Sequence, residues 1–255
     1  MMSATILKPG RNVELEEWRG RVDLAAAFRL AVENNWHEAV ANHFSLAVSE
    51  DGKRFLMNPR WIHFSRVRAS DMLLLDADDE TTMERPDAPD PSAWCIHGAI
   101  HAAHPEARCL LHVHSAYATA VACLADPTIL PLEQNTARFF NRVTIDRHFG
   151  GIADNMEEGR RIASMLGDHK VMIMANHGVL VTGTTVAEAY DTLYYFERAC
   201  RTLVLAYSTG RPLNVMPDEL AELTARGWEE YADAAAAHFA EMKKLLDAKD
   251  PSYAE

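Results

Sequence analysis

The stretch LLHVHS at residues 110–115 decides how this chain is organised. Its apolar residues indicate a buried strand, and because strand side chains alternate between faces, His112 and His114 point to the same side. A second apolar run, VMIMANHG at residues 171–178, brings His177 to a strand end beside a glycine. Three histidines on strand ends, with a fourth position open, are typical of a catalytic rather than a structural zinc-type site. The alternative interpretation is three ordinary buried histidines.

Composition and charge limit the class of protein. The 255-residue chain can hold one large domain or two small ones, and nothing in it separates two. A formal net charge of −12 argues against nucleic acid or an anionic membrane as a partner. There is no apolar run of membrane-spanning length and no signal-peptide core, and the scattered cysteines lack C-x-x-C spacing. We expect a soluble protein of the cytoplasm.

The predicted elements favour a sheet covered by helices. Asp51-Gly52, between β-like runs at 44–48 and 54–57, predicts a hairpin. Strands joined by tight turns favour a mixed or largely antiparallel sheet over a doubly wound parallel one. Helices are predicted over residues 13–34, 92–104 (with Ser92 as N-cap), 154–166 (capped by Asp154), 185–208 and 217–249.

Domain boundaries follow from the same pattern. Residues 1–12 are expected to form a flexible leader, residues 13–215 a single domain, and residues 216–255 a C-terminal helical extension.

Other histidine-rich and phosphate-binding architectures do not fit. The segment after His114 is helical in pattern and lacks the nearby Glu of a cupin, and the chain has neither the length nor the motif position of an amidohydrolase barrel. H-E-x-x-H, G-x-G-x-x-G and G-x-x-x-x-G-K are all absent.

The two histidine motifs, with the helix that begins at Val186, resemble the class II aldolase/adducin family over residues 21–213. The family includes sugar-phosphate aldolases, an epimerase, a dehydratase and decarboxylases. The resemblance implies an α/β fold with three α/β/α layers around a mostly antiparallel sheet. It further implies one divalent metal ion on His112, His114 and His177, and a homotetramer with sites between subunits. Zinc is the favoured metal, with manganese as the alternative.

The chain departs from the family pattern where sugar-phosphate aldolases bind phosphate and move protons. The acidic residue before the family's Trp is replaced by Ala93, which can neither ligate a metal nor transfer a proton. The Gly-Asn-x-Ser turn is replaced by residues 42–45, beginning at Asn42. The Pro-Ser/Thr-Gly turn is replaced by residues 59–61, ending at Trp61. Without these glycines the backbone cannot approach a phosphate closely.

Several residues could replace what is lost. Glu133 falls near the position of a family Tyr that reaches into a neighbouring subunit, and it is the candidate general base, or else a surface carboxylate. Arg60, Asn42 and Ser92 are the candidate substrate-binding residues, Arg60 because its planar fork suits a carboxylate. Arg138 and Arg142 could also anchor the substrate, but a solvated strand face is the favoured interpretation. His97 and His101 could approach the metal, but core or supporting positions are favoured.

These features predict a metal-dependent lyase that cleaves a C–C bond through a metal-stabilised enolate. Its substrate would be a small non-phosphorylated hydroxy, keto or aromatic carboxylic acid, and decarboxylation is slightly favoured over aldol cleavage because it suits the lost acid. The alternatives are a catalytically inactive, adducin-like metal-bound scaffold and, less favoured, a zinc hydrolase that uses bound hydroxide.

Overall fold

A computed structural model describes residues 15–231 and 233–255. The leader expected at residues 1–12 lies outside the described residues. The strands are β1 (His43–Ala47), β2 (Arg54–Met57), β3 (Leu73–Asp76), β4 (Cys109–Val113), β5 (Val143–Asp146), β6 (Val171–Met174) and β7 (Gly178–Gly183). The helices are α1 (Leu15–Glu33), α2 (Pro91–Ala103), α3 (Ala116–Ala122), α4 (Gln134–Ala137), α5 (Met156–Leu166), α6 (Val186–Ser208), α7 (Asp218–Glu229) and α8 (Ala234–Lys249).

The seven strands form one sheet in the order β3-β2-β1-β4-β7-β6-β5. Every neighbouring pair is antiparallel except β5 and β6, which run parallel. The predicted hairpin is present between β1 and β2, and Gly52 in its turn has a left-handed φ of 77°. The mostly antiparallel sheet is therefore confirmed, with one parallel pair at its edge.

Helices cover both faces of the sheet. Leu111 and Val113 of β4 belong to a hydrophobic cluster with residues of α1, α3, α6 and α8. Leu110, on the opposite face, packs in a second cluster with residues of α2 and α5. Alternation along one strand thus feeds two separate cores, and the three-layer α/β/α fold is confirmed.

Three local predictions need correction. The N-cap of α2 is Asp90, whose side chain accepts hydrogen bonds from the amides of Ser92 and Ala93, so Ser92 is not the cap. The N-cap of α5 is Asn155 rather than Asp154. Arg138 ends α4 instead of lying on a solvated strand, and its guanidinium pairs with Asp191. In the first two cases a neighbouring Asp or Asn with better geometry takes the position.

The helix predicted over residues 217–249 is two helices, α7 and α8. The second of them begins after Asp233, whose left-handed φ of 61° a continuous helix does not contain. Phe239, Leu246 and Tyr253 bury their side chains in the same cluster as α1 and α6. The described C-terminal residues therefore share the main core. No helix in the described part of the chain is long and apolar enough to cross a membrane.

Candidate metal centre

The three motif histidines meet at one edge of the sheet. His112 is the penultimate residue of strand β4, and His114 comes directly after the strand. His177 lies in the tight turn between β6 and β7. Because β7 pairs antiparallel with β4, its first residues lie beside the end of β4, where Val113 is paired with Val179. Gly178 makes this approach possible, since a Cβ there would lie 2.6 Å from the Val113 carbonyl oxygen and 2.7 Å from the His114 ring.

The ring nitrogens form a set suited to a metal ion. One nitrogen from each of His112, His114 and His177 lies within 4.8 Å of the other two. The Nδ1 of His112 donates to the Val179 carbonyl at 3.0 Å, and the Nδ1 of His114 donates to Glu38 at 2.6 Å. With both rings in the neutral form that binds a metal, their Nε2 atoms carry lone pairs, and these two atoms lie only 3.1 Å apart. Two facing lone pairs repel each other unless a cation lies between them, so these residues fit a divalent metal.

The electrostatics keep the rings ready to bind. Burial holds the pKa of His112 well below its ordinary value, and neighbouring histidines lower it further. Burial also lowers the pKa of His177 to about 4, and the adjacent His114 adds to the shift. At neutral pH both rings are uncharged, which is the form in which imidazole binds a metal.

Two carboxylates that sequence reasoning missed hold this centre in place. Glu38 fixes the ring of His114, and such a carboxylate partner sets the tautomer of a ligating histidine. Glu197 of α6 is buried and accepts hydrogen bonds from the Ser115 hydroxyl and the amides of Tyr117 and Ala118. It thereby anchors the start of α3, directly after the histidine motif. Neither acid lies in a recognisable pattern, since each is brought to the site only by the fold.

Buried histidines continue behind the ligands. His43 of β1 is the cross-strand partner of His112, and their ring centroids are 4.9 Å apart. The His43 Nδ1 lies 2.7 Å from the Nε2 of His97, and the Ser45 hydroxyl lies between His97 and His101. His97 and His101 thus support the site from behind.

Asn42 contacts the centre, and Arg60 lies exposed on the surface. Asn42 accepts a hydrogen bond from the His114 amide at 3.4 Å, and its buried Nδ2 has no partner among the described residues. Arg60 is exposed and makes no hydrogen bond or ion pair within residues 15–231 and 233–255.

The other two candidates are engaged locally. The hydroxyl of Ser92 donates to Asp90 at 2.6 Å. Glu133 is the N-cap of α4, where its carboxylate accepts from the amides of Asn135 and Thr136. Their roles toward a substrate stay predictions.

The two replaced glycine positions keep a glycine-like backbone. Asn42 has a φ of 76° and Trp61 a φ of 67°, both in the left-handed region. Asn tolerates this conformation, whereas a bulky Trp there is a strained outlier of the kind found at functional sites. The turn shapes persist, but each now carries a side chain.

Comparison with known proteins establishes the family. The profile of the Class II Aldolase and Adducin N-terminal domain matches residues 22–204. An aldolase class 2 protein of Caulobacter vibrioides is 34% identical over 211 residues, which cover 83% of this chain and 81% of that protein. The crystal structure of an aldolase II superfamily protein from Pseudomonas syringae matches with a TM-score of 0.87 and 31% identity, covering 96% of this chain and 98% of that one. This chain belongs to the class II aldolase/adducin family.

A further relative is a decarboxylase. The decarboxylase NovR of Streptomyces niveus is 29% identical over 201 residues, which cover 76% of this chain and 74% of NovR. The family therefore includes a named decarboxylase that is similar over most of the domain.

Proposed function

We propose that this chain is a divalent-metal-dependent carbon–carbon lyase acting on a small non-phosphorylated hydroxy, keto or aromatic carboxylic acid. The observation that carries the proposal is the pair of facing Nε2 lone pairs of His112 and His114, 3.1 Å apart beside His177. A metal ion bound there supplies a Lewis acid that stabilises negative charge developing on a substrate oxygen. Zinc is the favoured ion because imidazole nitrogens suit it well, and manganese is the alternative.

The choice of a substrate without phosphate rests on the replaced turns. Phosphate capture uses backbone amides that a ligand can approach closely, and glycines permit that approach. The side chains of Asn42 and Trp61 now project from those two left-handed positions. Arg60, exposed and unpaired among the described residues, is available to hold a carboxylate through two parallel hydrogen bonds.

Decarboxylation is favoured over aldol cleavage because of what the chain lacks. Aldol cleavage requires a base that takes a hydroxyl proton, and Ala93 stands where the family places its acid. Loss of CO₂ from a carboxylate needs no such proton removal. Glu133, the candidate base for the aldol route, already holds two amides of α4, and it would have to serve the site of a neighbouring subunit. The likeness to NovR supports the same choice.

The proposed setting is a homotetramer in the cytoplasm, with each site completed by a neighbouring subunit. Family resemblance is the support for this assembly. Light scattering of the purified protein measures the mass directly, and a monomer would contradict the assembly.

A mass-spectrometric screen tests the proposed reaction. Metal-replete protein is incubated with pooled non-phosphorylated hydroxy acids, keto acids and aromatic carboxylates. His114→Ala serves as the blank, and His169→Ala, which changes an exposed histidine, serves as the control. We expect one acid to lose the mass of CO₂ in the wild type and the control only. Two carbonyl fragments would instead indicate an aldolase, and no turnover with a full metal site would favour the adducin-like scaffold.

A further inference from the structure

A chain of hydrogen bonds runs through the buried layer behind the metal centre. It begins at the carbonyl of Ala107, which lies 3.1 Å from the Nδ1 of His101. The His101 Nε2 is 2.7 Å from the hydroxyl of Ser45, and that hydroxyl is 2.5 Å from the Nδ1 of His97. The His97 Nε2 is 2.7 Å from the Nδ1 of His43. All four side chains are buried, three of them with no more than 1% exposure.

The direction of every bond follows from the first one. A carbonyl oxygen only accepts, so the Nδ1 of His101 carries a proton, and in the neutral ring its Nε2 has a lone pair. Ser45 must then donate its single proton to His101, so it accepts from the Nδ1 of His97. By the same reasoning His97 accepts through Nε2 from the Nδ1 of His43.

The rings of His97 and His101 are neutral. Burial lowers the pKa of His101 to about 3, and it holds the pKa of His97 well below the ordinary value. A neutral imidazole has one donor and one acceptor nitrogen, so each hydrogen bond sets the tautomer of the next ring.

This series of hydrogen bonds ends at the Nε2 of His43, which makes no hydrogen bond with any described residue. With Nδ1 protonated, this Nε2 carries a lone pair that is left without a partner among the described residues. The protein does not fully enclose this atom. The ring stacks on the metal-ligand candidate His112, with an angle of 29° between the planes. The next residue, Asn42, contributes a second unpartnered polar atom, its Nδ2. This corner of the site thus offers polar atoms that the protein leaves unsatisfied.

We propose that His43 is a substrate-contacting residue whose Nε2 is fixed as a hydrogen-bond acceptor, so that the site selects acids bearing a hydroxyl next to the carboxylate or carbonyl. His97, Ser45 and His101 are positioning residues that set its tautomer. A keto oxygen has no proton to donate and leaves the Nε2 unpaired, which costs binding. This inference rests on the proposed function and narrows its substrate class from hydroxy or keto acids to hydroxy-bearing ones.

Neutron diffraction from deuterated crystals of the zinc-loaded protein tests the tautomers without any substrate. We expect deuterium on the Nδ1 of His43, His97 and His101 and none on the Nε2 of His43. Deuterium on that Nε2, or a bond from it to the zinc ion, would overturn the proposal. This measurement stands even if the activity screen finds no reaction, so the two failures are distinguishable.

Calorimetry with three matched three-carbon acids tests the contact. Lactate, pyruvate and propionate differ only at the second carbon, and lactate and pyruvate offer a metal the same pair of oxygens. Ser45→Ala removes the hydroxyl that ties His97 to His101, which frees His97 to protonate Nε2 and turns the His43 Nε2 into a donor. We expect the preference for lactate over pyruvate to fall roughly 3- to 10-fold in this variant, the worth of one hydrogen bond.

The matched control is His104→Gln. His104 caps the C-terminal end of α2 and hydrogen-bonds the carbonyl of Ala163, and it takes no part in the row of hydrogen bonds that ends at His43. It should leave the lactate preference unchanged. An unchanged preference in Ser45→Ala, or equal binding of all three acids by the wild type, would overturn the contact. Zinc content measured in each variant shows whether the metal centre itself is intact.

Discussion

Glu38 and His114 form the pair of side chains that most directly prepares a metal ligand in this chain. The carboxylate accepts the Nδ1 proton of His114 at 2.6 Å and so leaves the Nε2 facing His112. A carboxylate behind a ligating histidine fixes its orientation and raises its basicity. Glu38 is half exposed, so we expect its removal to affect the proposed metal site rather than folding.

Glu38→Gln should therefore weaken zinc binding about 10- to 100-fold while leaving the fold intact. Competition with a fluorescent zinc chelator measures the affinity. Glu50→Gln, in the exposed turn of the β1–β2 hairpin, is the control and should bind as the wild type does. Equal affinity in Glu38→Gln would mean that the carboxylate contact has no part in metal binding.

Glu197 is a second residue whose effect can be predicted from its contacts. Its buried carboxylate satisfies the Ser115 hydroxyl and two amides at the start of α3. Glu197→Ala leaves these donors buried without partners, and we expect a loss of about 3 kcal/mol in the free energy of unfolding. Urea denaturation measures it, with Glu50→Ala as the exposed control. A loss below about 1 kcal/mol would show that water replaces the carboxylate.

At this scale the sequence predicts that the three candidate ligands come together, which the structure bears out, but it does not predict the residues that support them. His112 and His114 are recognisable because an i, i+2 spacing on a strand places both side chains on one face, and His177 is recognisable because it ends a second apolar run. Glu38, His43 and Glu197 have no such spacing, since each reaches the site from a different element through long-range packing.

At the scale of elements, the contact between α2 and α5 depends on one small residue. Gly159 of α5 lies so close to α2 that a Cβ there would be 2.2 Å from the carbonyl oxygen of Cys95. The obstacle is backbone, which cannot rotate away as a side chain can. The helix that carries His97 and His101 is therefore held at a distance that only glycine allows.

Gly159→Ala should lower the free energy of unfolding by about 2 kcal/mol or more, because the helices must separate. Gly227→Ala in α7 is the matched control, since no atom lies within 4 Å of the added methyl group. That variant should stabilise the protein by about 0.5–1 kcal/mol through its better helix propensity. Thermal unfolding compares the two, and similar shifts in both would contradict the close packing inferred here.

The buried histidines of α2 should make the free energy of unfolding fall at acid pH. The folded pKa values of His97 and His101 lie below the unfolded value of about 6.5 because of burial. The unfolded chain thus binds more protons below pH 6.5, so stability is fully present above that pH and is lost as the pH falls toward 3. Each histidine contributes a slope of about 1.4 kcal/mol per pH unit in this window.

Urea unfolding of metal-free protein between pH 6 and 5 measures this slope. His101→Gln, which cannot take up the proton, should reduce the slope by about 1.4 kcal/mol per pH unit and leave it unchanged above pH 7. An identical slope in the variant would show that His101 is protonated in the folded state.

Element types were predictable where the local pattern is strong, and boundaries were not. The hairpin at Asp51-Gly52 and the start of α6 at Thr185 follow from turn and cap chemistry and are confirmed. The caps of α2 and α5 were misplaced because adjacent polar residues compete for one position. The break between α7 and α8 was missed because the left-handed Asp233 comes directly before an alanine-rich stretch, and the whole segment reads as continuous helix.

At the scale of the whole molecule, tight turns implied a largely antiparallel sheet, but not the order of its strands. The placement of β4 between β1 and β7 depends on long-range pairing, and it is this placement that brings His43, His112 and His177 together. The C-terminal helices add Phe239, Leu246 and Tyr253 to the same core, although the family profile ends before them. The site is thus a product of the complete fold rather than of one segment.

The central claim is that this fold holds one divalent metal ion on three histidines, and elemental analysis tests it most directly. Protein purified from zinc- and manganese-supplemented cultures should contain about one ion per chain. The ion should be lost in His112→Ala, His114→Ala and His177→Ala and retained in His169→Ala. A wild-type protein without metal, together with a His112→Ala variant of unchanged unfolding free energy, would contradict the account.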